Sequence, residues 1–384
     1  MRTKLVSEHR KQRPLVAAVL TPVVVSVLLA GCEELLFEPV PDTDARSIYE
    51  QAADFVANEY SFFDYKGIDW QAERNDPQRL DRLAALEGQP RGQAYEEELF
   101  DIIADLLFVL EDGHVNLESD FDRSRNWSWY LNCPPNFDAT TLERSYYNGK
   151  QQFVGDAFTL MDFDSVEDAK VGYIYYSSFG RTVTPEDMSY VIDRFSGPDY
   201  KGLIIDVRNN GGGSLTNMYT IANRFTDRAV SVAAERVKNG VGPDDFSPLV
   251  PVTLSPTEGL SIYEKPVLVL TNCRSFSATN FFATIMRGLD LTGRADVTLV
   301  GDRTGGGGGL PATTELTNGW ELRVSTSQLF ALDPVNPETI PSPIDALNVE
   351  GGVQPDVAVD APSADLAAGT DAILDYALNF LRSL

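Results

Sequence analysis

The sequence predicts an α/β fold, and two observations carry the prediction. From about residue 169 onward, short apolar runs alternate with amphipathic helical stretches, and each run ends in glycines or small polar residues. Before about residue 118, apolar residues recur at helical spacing only. Alternating strands and helices imply a largely parallel or mixed sheet with helices packed on it, and functional groups then collect at the carboxyl ends of the strands.

The chain opens on Arg2, Lys4, Arg10, Lys11 and Arg13 against one acid, Glu8, followed by the apolar stretch PLVAAVLTPVVVSVLLA. This is a secretory signal layout, and it stops at Leu29-Ala30-Gly31-Cys32, which matches the bacterial lipobox. Residues 1–31 are therefore expected to be removed and Cys32 lipidated, giving a cell-envelope lipoprotein that faces the periplasm or is attached to the outer membrane. The alternative is a transmembrane anchor, against which stand a span slightly short for a bilayer and Pro22 within it. Residues 32–45 are acidic and twice interrupted by proline, as suits a tether.

Two helices are predicted next, in ARSIYEQAADFVANEYSFF (45–63) and AYEEELFDIIADLLFVLEDG (94–113), forming a helical subdomain over 46–118. Gly113 is expected to cap the second, placing His114 just past a helix end. Residues 119–168 read as loops and short strands. In the core, 169–384, strands are expected at VGYIYYSSF (171–179), KGLIIDV (201–207), PVLVLTN (266–272) and ADVTLVG (295–301). Helices are expected at 184–196, 216–225 and 279–289.

Composition excludes some partners. The net charge is −26, and removing residues 1–31, with five basic and one acidic side chain, takes it to −30. Nucleic acid and anionic membrane surfaces are poor partners for such a chain, so any membrane attachment is through the lipid alone. Cys133 and Cys273 either bridge, as an oxidising compartment permits, or remain two free buried thiols; neither has metal-site spacing, and no metal or cofactor is expected.

Beyond residue 31 the only histidine is His114, in LEDGHVNL. PVLVLTN runs into SFSATNFFATIM, a small-residue turn that opens an apolar helix, and a serine at such a corner sits at the helix's positive end. A serine needs a base to take its proton, and imidazole is suited to that and to protonating a leaving amine. Ser277 is the expected nucleophile, with Ser275 and Thr279 as competitors. Its alternative role is simply to N-cap the helix.

Asp206-Val207-Arg208-Asn209-Asn210-Gly211-Gly212-Gly213, TNCRSFSATNFFATIM, VGDRTGGGG and NVEGGVQPDVAV together resemble the tail-specific, or C-terminal processing, serine peptidases. FFDYKGIDW, LEDGHVNL and DAILDYALNFL extend the resemblance over most of the chain. It implies a ClpP/crotonase-like core with an N-terminal helical subdomain, and a peptide or unfolded-protein substrate. In the serine-lysine version of that family a lysine stands where this chain has Gly307. DGHV instead resembles the histidine-base branch of tricorn core protease and interphotoreceptor retinoid-binding protein, which implies His114 as base. The resemblance further implies Glu350 as the acid orienting His114, with Asp112, Asp302 and Asp345 as alternatives, and Gly211 or Gly212 with Ala278 as oxyanion donors. Asp206 and Arg208 are expected to brace the glycine turn, Asp356 to hold its loop, and Gly305–Gly309 to form a flexible cleft wall. Residues 119–168 are too few for the complete PDZ module that many members carry. A catalytically silent relative binding an apolar ligand or a protein in the same cleft is the competing reading. Oligomeric state is not legible.

Overall fold

The computed structural model describes residues 43–125, 127–164, 170–337 and 347–384. Cys32, the signal segment and nearly all of the tether lie outside the described residues. Helices lead: α1 (Ala45–Glu59), α2 (Phe63–Lys66), α3 (Trp70–Arg74), α4 (Pro77–Leu86) and α5 (Gln93–Phe108). Aspartates cap three of them: the Asp44, Asp69 and Asp76 carboxylates accept from the third helical N–H of α1, α3 and α4. Strands β1 (Asn116–Glu118) and β2 (Arg123–Arg125) follow, then the short α6 (Ala139–Thr141), β3 (Gln152–Val154) and β4 (Phe158–Phe163).

The regular α/β part begins with β5 (Lys170–Tyr176), α7 (Pro185–Phe195), β6 (Tyr200–Asp206) and α8 (Leu215–Ala222). Thr184 starts α7 with a full capping box to Asp187. After β7 (Val230–Val237) and β8 (Val250–Leu254) come β9 (Val267–Thr271), α9 (Ala278–Leu291) and β10 (Val297–Gly301). The chain finishes with β11 (Pro311–Glu315), β12 (Glu321–Ser325), β13 (Ser327–Ala331), β14 (Val357–Ala358), α10 (Ser363–Ala367) and α11 (Ala372–Arg382).

The main sheet runs β14-β10-β9-β6-β5-β4-β3; β14 to β5 are parallel, and β4 and β3 extend the sheet antiparallel. Its central strands are buried on both faces, which is why they read as unbroken apolar runs. Leu203, Ile205, Val267 and Val269 pack toward α7, α8 and α9. Ile204, Leu268 and Leu270 pack toward α11 on the other side.

Two smaller antiparallel sheets complete the fold, β13-β7-β8 and β11-β12-β1-β2. The second joins distant stretches of sequence: Asn116, Leu117 and Glu118 pair with Arg323, Leu322 and Glu321. Leu117, Leu322 and Val324 are the floor on which the N-terminal helices bury Ile48, Val56, Leu99, Ile103 and Leu107. The helical segment expected over 46–118 thus shares its core with β12, and residues 119–168, read as loops and short strands, supply two strands of the main sheet.

Candidate active site

The turn between β9 and α9 presents Ser277 under strain. Its φ is 58° and ψ −123°, a backbone conformation that side chains other than glycine rarely adopt. The Ser277 N–H donates to Gly306 O at 2.9 Å, and its hydroxyl makes no capping bond to α9. The hydroxyl lies instead 2.8 Å from His114 Nε2. Its competitors are otherwise engaged or buried. Ser275 donates its hydroxyl to Val207 O at 2.9 Å and accepts from Asn272 N, while Thr279 is fully buried.

His114 reaches this position from the loop after α5. That helix ends at Phe108, earlier than expected, and Gly113 does not cap it; Glu111 takes the positive φ, 42°. Gly113 is required by crowding: a Cβ there would lie 2.7 Å from Trp129 and 2.8 Å from Phe276. The imidazole is buried against the Phe276 ring, with centroids 4.8 Å apart. Burial lowers its pKa to about 4; Asp112 opposes the shift, and Arg323 and Lys66 add to it.

The other ring nitrogen faces Ser325 of β12. Ser325 Oγ is 3.5 Å from His114 Nδ1 and donates to Asp112 Oδ2 at 2.8 Å. Asp112 also accepts from the His114 amide at 2.8 Å. With Ser277 donating to Nε2, the proton sits on Nδ1, and one directed chain runs from Ser277 through His114 and Ser325 to Asp112. Burial pushes the Asp112 carboxyl up, but Lys66, His114 and the two hydrogen bonds outweigh it and hold the group below its ordinary value.

Glu350, expected at Nδ1, is committed elsewhere. Its carboxylate pairs with Lys66 Nζ at 3.0 Å and accepts from Gly308 N at 2.8 Å, and among the described residues it makes no hydrogen bond to His114. Burial and the nearby Asp112 charge push it up, against the pull of Lys66. Lys66 in turn donates to Leu110 O and Glu111 O, so the pair fastens the His114 loop from behind. Asp345 lies outside the described residues, and Asp302 lines a second cleft with Lys66 and Glu350.

A lysine base has no room here. Gly307 has φ +74°, and a Cβ on it would sit 2.6 Å from the Phe276 ring and 3.1 Å from His114 Cε1. The glycine run is not a flexible wall. Gly306 to Gly309 are buried, Gly305 N donates to Ser275 O, Leu329 N donates to Gly308 O, and side chains at 306 and 308 would strike the Glu350 backbone.

On the facing side, the glycine turn after β6 is clamped. Arg208, fully buried, donates to Asp206 and Asp371 carboxylates at 2.6 to 2.9 Å, and Asn210 Oδ1 accepts from Gly212 N at 3.0 Å. That bond takes the Gly212 amide, so Gly212 does not fill the expected oxyanion role. Gly211 N and Ala278 N, the latter at the first position of α9, donate to no group among the described residues. Gly212 packs against the serine instead, leaving no space for a Cβ beside Ser277 Cβ and Ala278 N. Asp356 holds its loop by accepting from Leu299 N and pairing with Arg287.

Ser277, His114, Gly211 and Gly213 line a cleft of about 470 Å³, with Arg323 and Glu321 of β12 on its far wall. Trp129 closes one end, stacked on Phe276 at 3.7 Å. Cys133 and Cys273 are bridged, which ties the Trp129 segment to the turn carrying Ser277. Ser325 and Arg323 carry no motif of their own, and Lys66, within FFDYKGIDW, carries no expected role in the site. Only the pairing of β12 with β1 brings Ser325 and Arg323 to the site. Among the described residues no group of three or more His, Cys, Asp or Glu could hold a metal ion, and no helix is long and apolar enough to cross a membrane.

The profile of peptidase family S41 matches residues 170–359. The carboxy-terminal processing protease CtpA of Bacillus subtilis is 25% identical over 171 residues, 44% of this chain and 33% of that protein. The alignment thus spans about a third of that curated relative. A crystal structure from Parabacteroides merdae, provisionally described as a peptidase, is 35% identical, with a TM-score of 0.72 over 88% of this chain and 97% of its own. Mature CPAF, solved in complex with lactacystin, shares the fold at 13% identity, with a TM-score of 0.59 over 88% of this chain and 97% of that one.

Proposed function

The chain belongs to peptidase family S41, and from this premise we infer that it is a serine endopeptidase acting on peptides or unfolded proteins through Ser277 and His114. The observation that carries the reading is the strained serine whose hydroxyl ignores its own helix and meets His114 Nε2 at 2.8 Å. In the reaction, Ser277 Oγ attacks the peptide carbonyl as His114 Nε2 takes its proton. Charge gathers on the carbonyl oxygen beside the Gly211 and Ala278 amides, which are fixed before substrate arrives. Collapse of the tetrahedral species expels the amine, which receives the proton from Nε2. Water then attacks the acyl-serine, again giving its proton to His114, and the acid product leaves with the hydroxyl restored. Ser325 and Asp112 support the imidazolium formed in both steps.

The amino-terminal layout supports a lipid anchor at Cys32 and a place in the cell envelope, and the Cys133–Cys273 disulfide, which persists in an oxidising compartment, supports the second of these. Loss of acylation in Cys32→Ala, with retention of the soluble product, tests that part.

Catalysis is tested by Ser277→Ala and His114→Ala on unstructured fluorogenic peptides. Each lowers kcat by about 10³-fold or more while thermal unfolding stays near wild type. A fluorophosphonate labels the wild type at Ser277 and not Ser277→Ala. An unlabelled, folded wild type with no turnover would establish the binding-only alternative.

A further inference from the structure

The wall opposite Ser277 is one face of the four-stranded sheet, and strand alternation decides what it displays. On β12, Leu322 and Val324 bury under the N-terminal helices, so Glu321, Arg323 and Ser325 share the cleft side. Ser325 meets His114, so Arg323 stands one pleat away, about 7 Å along the strand, from a residue touching the base. Its cross-strand neighbours are Asn116 on β1 and Thr313 on β11, both uncharged.

Arg323 is half-buried, and among the described residues its guanidinium has no hydrogen-bond or ion-pair partner. The other arginine lining the cleft, Arg123, is neutralised by Glu118. Asp112 is the carboxylate whose charge Arg323 feels, but Asp112 is already engaged by the Ser325 hydroxyl and the His114 amide. A guanidinium cannot shed its proton to escape this setting, and partial burial without a counter-ion is unfavourable. The chain does not lack carboxylates, with 57 acidic residues to 31 basic ones. A planar fork left open in the cleft that holds the reacting serine is a receptor for a carboxylate.

We propose that Arg323 determines specificity by binding a carboxylate of the peptide close to the bond cut, supplied by an acidic side chain or by a free C-terminus. This rests on the peptidase reading. The test uses matched peptides that differ only by Glu or Gln at each position around the cut, or by a free or amidated C-terminus. The wild type favours the carboxylate member at one position by about 10- to 100-fold in kcat/KM, as a charge-assisted pair requires. In Arg323→Gln that ratio falls to near one, and in Arg323→Glu the preference turns toward a Lys-containing peptide. A preference confined to Glu identifies a side chain, and one confined to the free terminus identifies a chain end. No preference in the wild type, or a preference unchanged in Arg323→Gln, overturns the proposal. Binding of the same pairs to Ser277→Ala, read by fluorescence anisotropy, separates the two questions. A binding preference without any cleavage by the wild type sinks the peptidase reading alone, whereas cleavage without preference sinks only the role of Arg323.

Discussion

Replacing Ser325 with alanine isolates the connection between His114 and Asp112. The substitution deletes one oxygen from a fully buried strand position, leaves every formal charge in place, and removes both the 2.8 Å bond to Asp112 and the 3.5 Å contact to Nδ1. When His114 takes the serine proton, Nδ1–H becomes the donor of a cation, and its bond to the Ser325 hydroxyl oxygen strengthens accordingly. A hydrogen bond to a charged group contributes about 1.5–3 kcal/mol, which is roughly 10- to 150-fold in kcat. The long resting contact puts the expectation in the lower part of that range, since such contacts tighten as the reaction proceeds. Asp112→Asn removes the charge itself and should cost about 10²–10⁴-fold, the full scale of general acid–base assistance. Glu350→Gln, whose carboxylate serves Lys66 and Gly308, should change kcat by no more than a few-fold while lowering the melting temperature. The assay is kcat on a fluorogenic peptide, with thermal unfolding recorded for each variant. The reasoning is refuted if folded Glu350→Gln loses as much kcat as Asp112→Asn while Ser325→Ala matches the wild type.

Four further outcomes follow from the same geometry. Because burial lowers the His114 pKa to about 4, kcat/KM should be flat from neutrality down to about pH 5 and fall only near 4, read from a pH–rate profile. The same depressed value means the unfolded chain binds the extra proton between about 6.5 and 4, so the contribution of His114 to stability is present above 6.5 and is lost as pH falls through 4. Gly307→Ala forces a methyl to within 2.6 Å of Phe276 at φ +74°; backbone strain and overpacking together should cost about 2–5 kcal/mol, measured by chemical denaturation. Cys133→Ser opens a loop of 140 residues, for which chain entropy allows up to about 5 kcal/mol, seen as a lower midpoint that wild type under reductant reproduces.

The main sheet was legible because its strands are buried on both faces and its helices on one, so each leaves a period of its own. The meeting of Ser277 and His114 was legible in part for a chemical reason: a histidine alone beyond residue 31 and a serine at a strand-to-helix corner are few enough to pair, and the motif match favoured Ser277 over Ser275 and Thr279. The short strands were not. Asn116–Glu118 and Glu321–Ser325 have no turn signal between them and pair across more than two hundred residues, so nothing local announces the sheet they build. Ser325 and Arg323 were hidden with it. Glu350 was placed by resemblance and is close to the site, yet Lys66, an ordinary residue at the end of a four-residue helix, claims its charge.

The five-glycine run shows why the base comes from so far away in the sequence. Each of these glycines is pressed against backbone or ring atoms: Gly305 on Cys273 O, Gly306 and Gly308 on the Glu350 backbone, Gly307 on Phe276 and Gly309 on Ser327 O. A base on this loop would need a Cβ, and the nearest space at 307 is filled by the Phe276 ring and His114 itself. The loop therefore serves by holding rather than reacting. Gly306 O fixes the Ser277 amide in its strained conformation, and the Gly308 amide fixes Glu350 against Lys66. Lys66 then grips the Leu110 and Glu111 carbonyls just ahead of His114. Serine and histidine are thus positioned by one continuous set of contacts running through Glu350. This explains how a carboxylate can stand within the constellation without touching the imidazole, and why its loss should loosen the fold before it slows the chemistry.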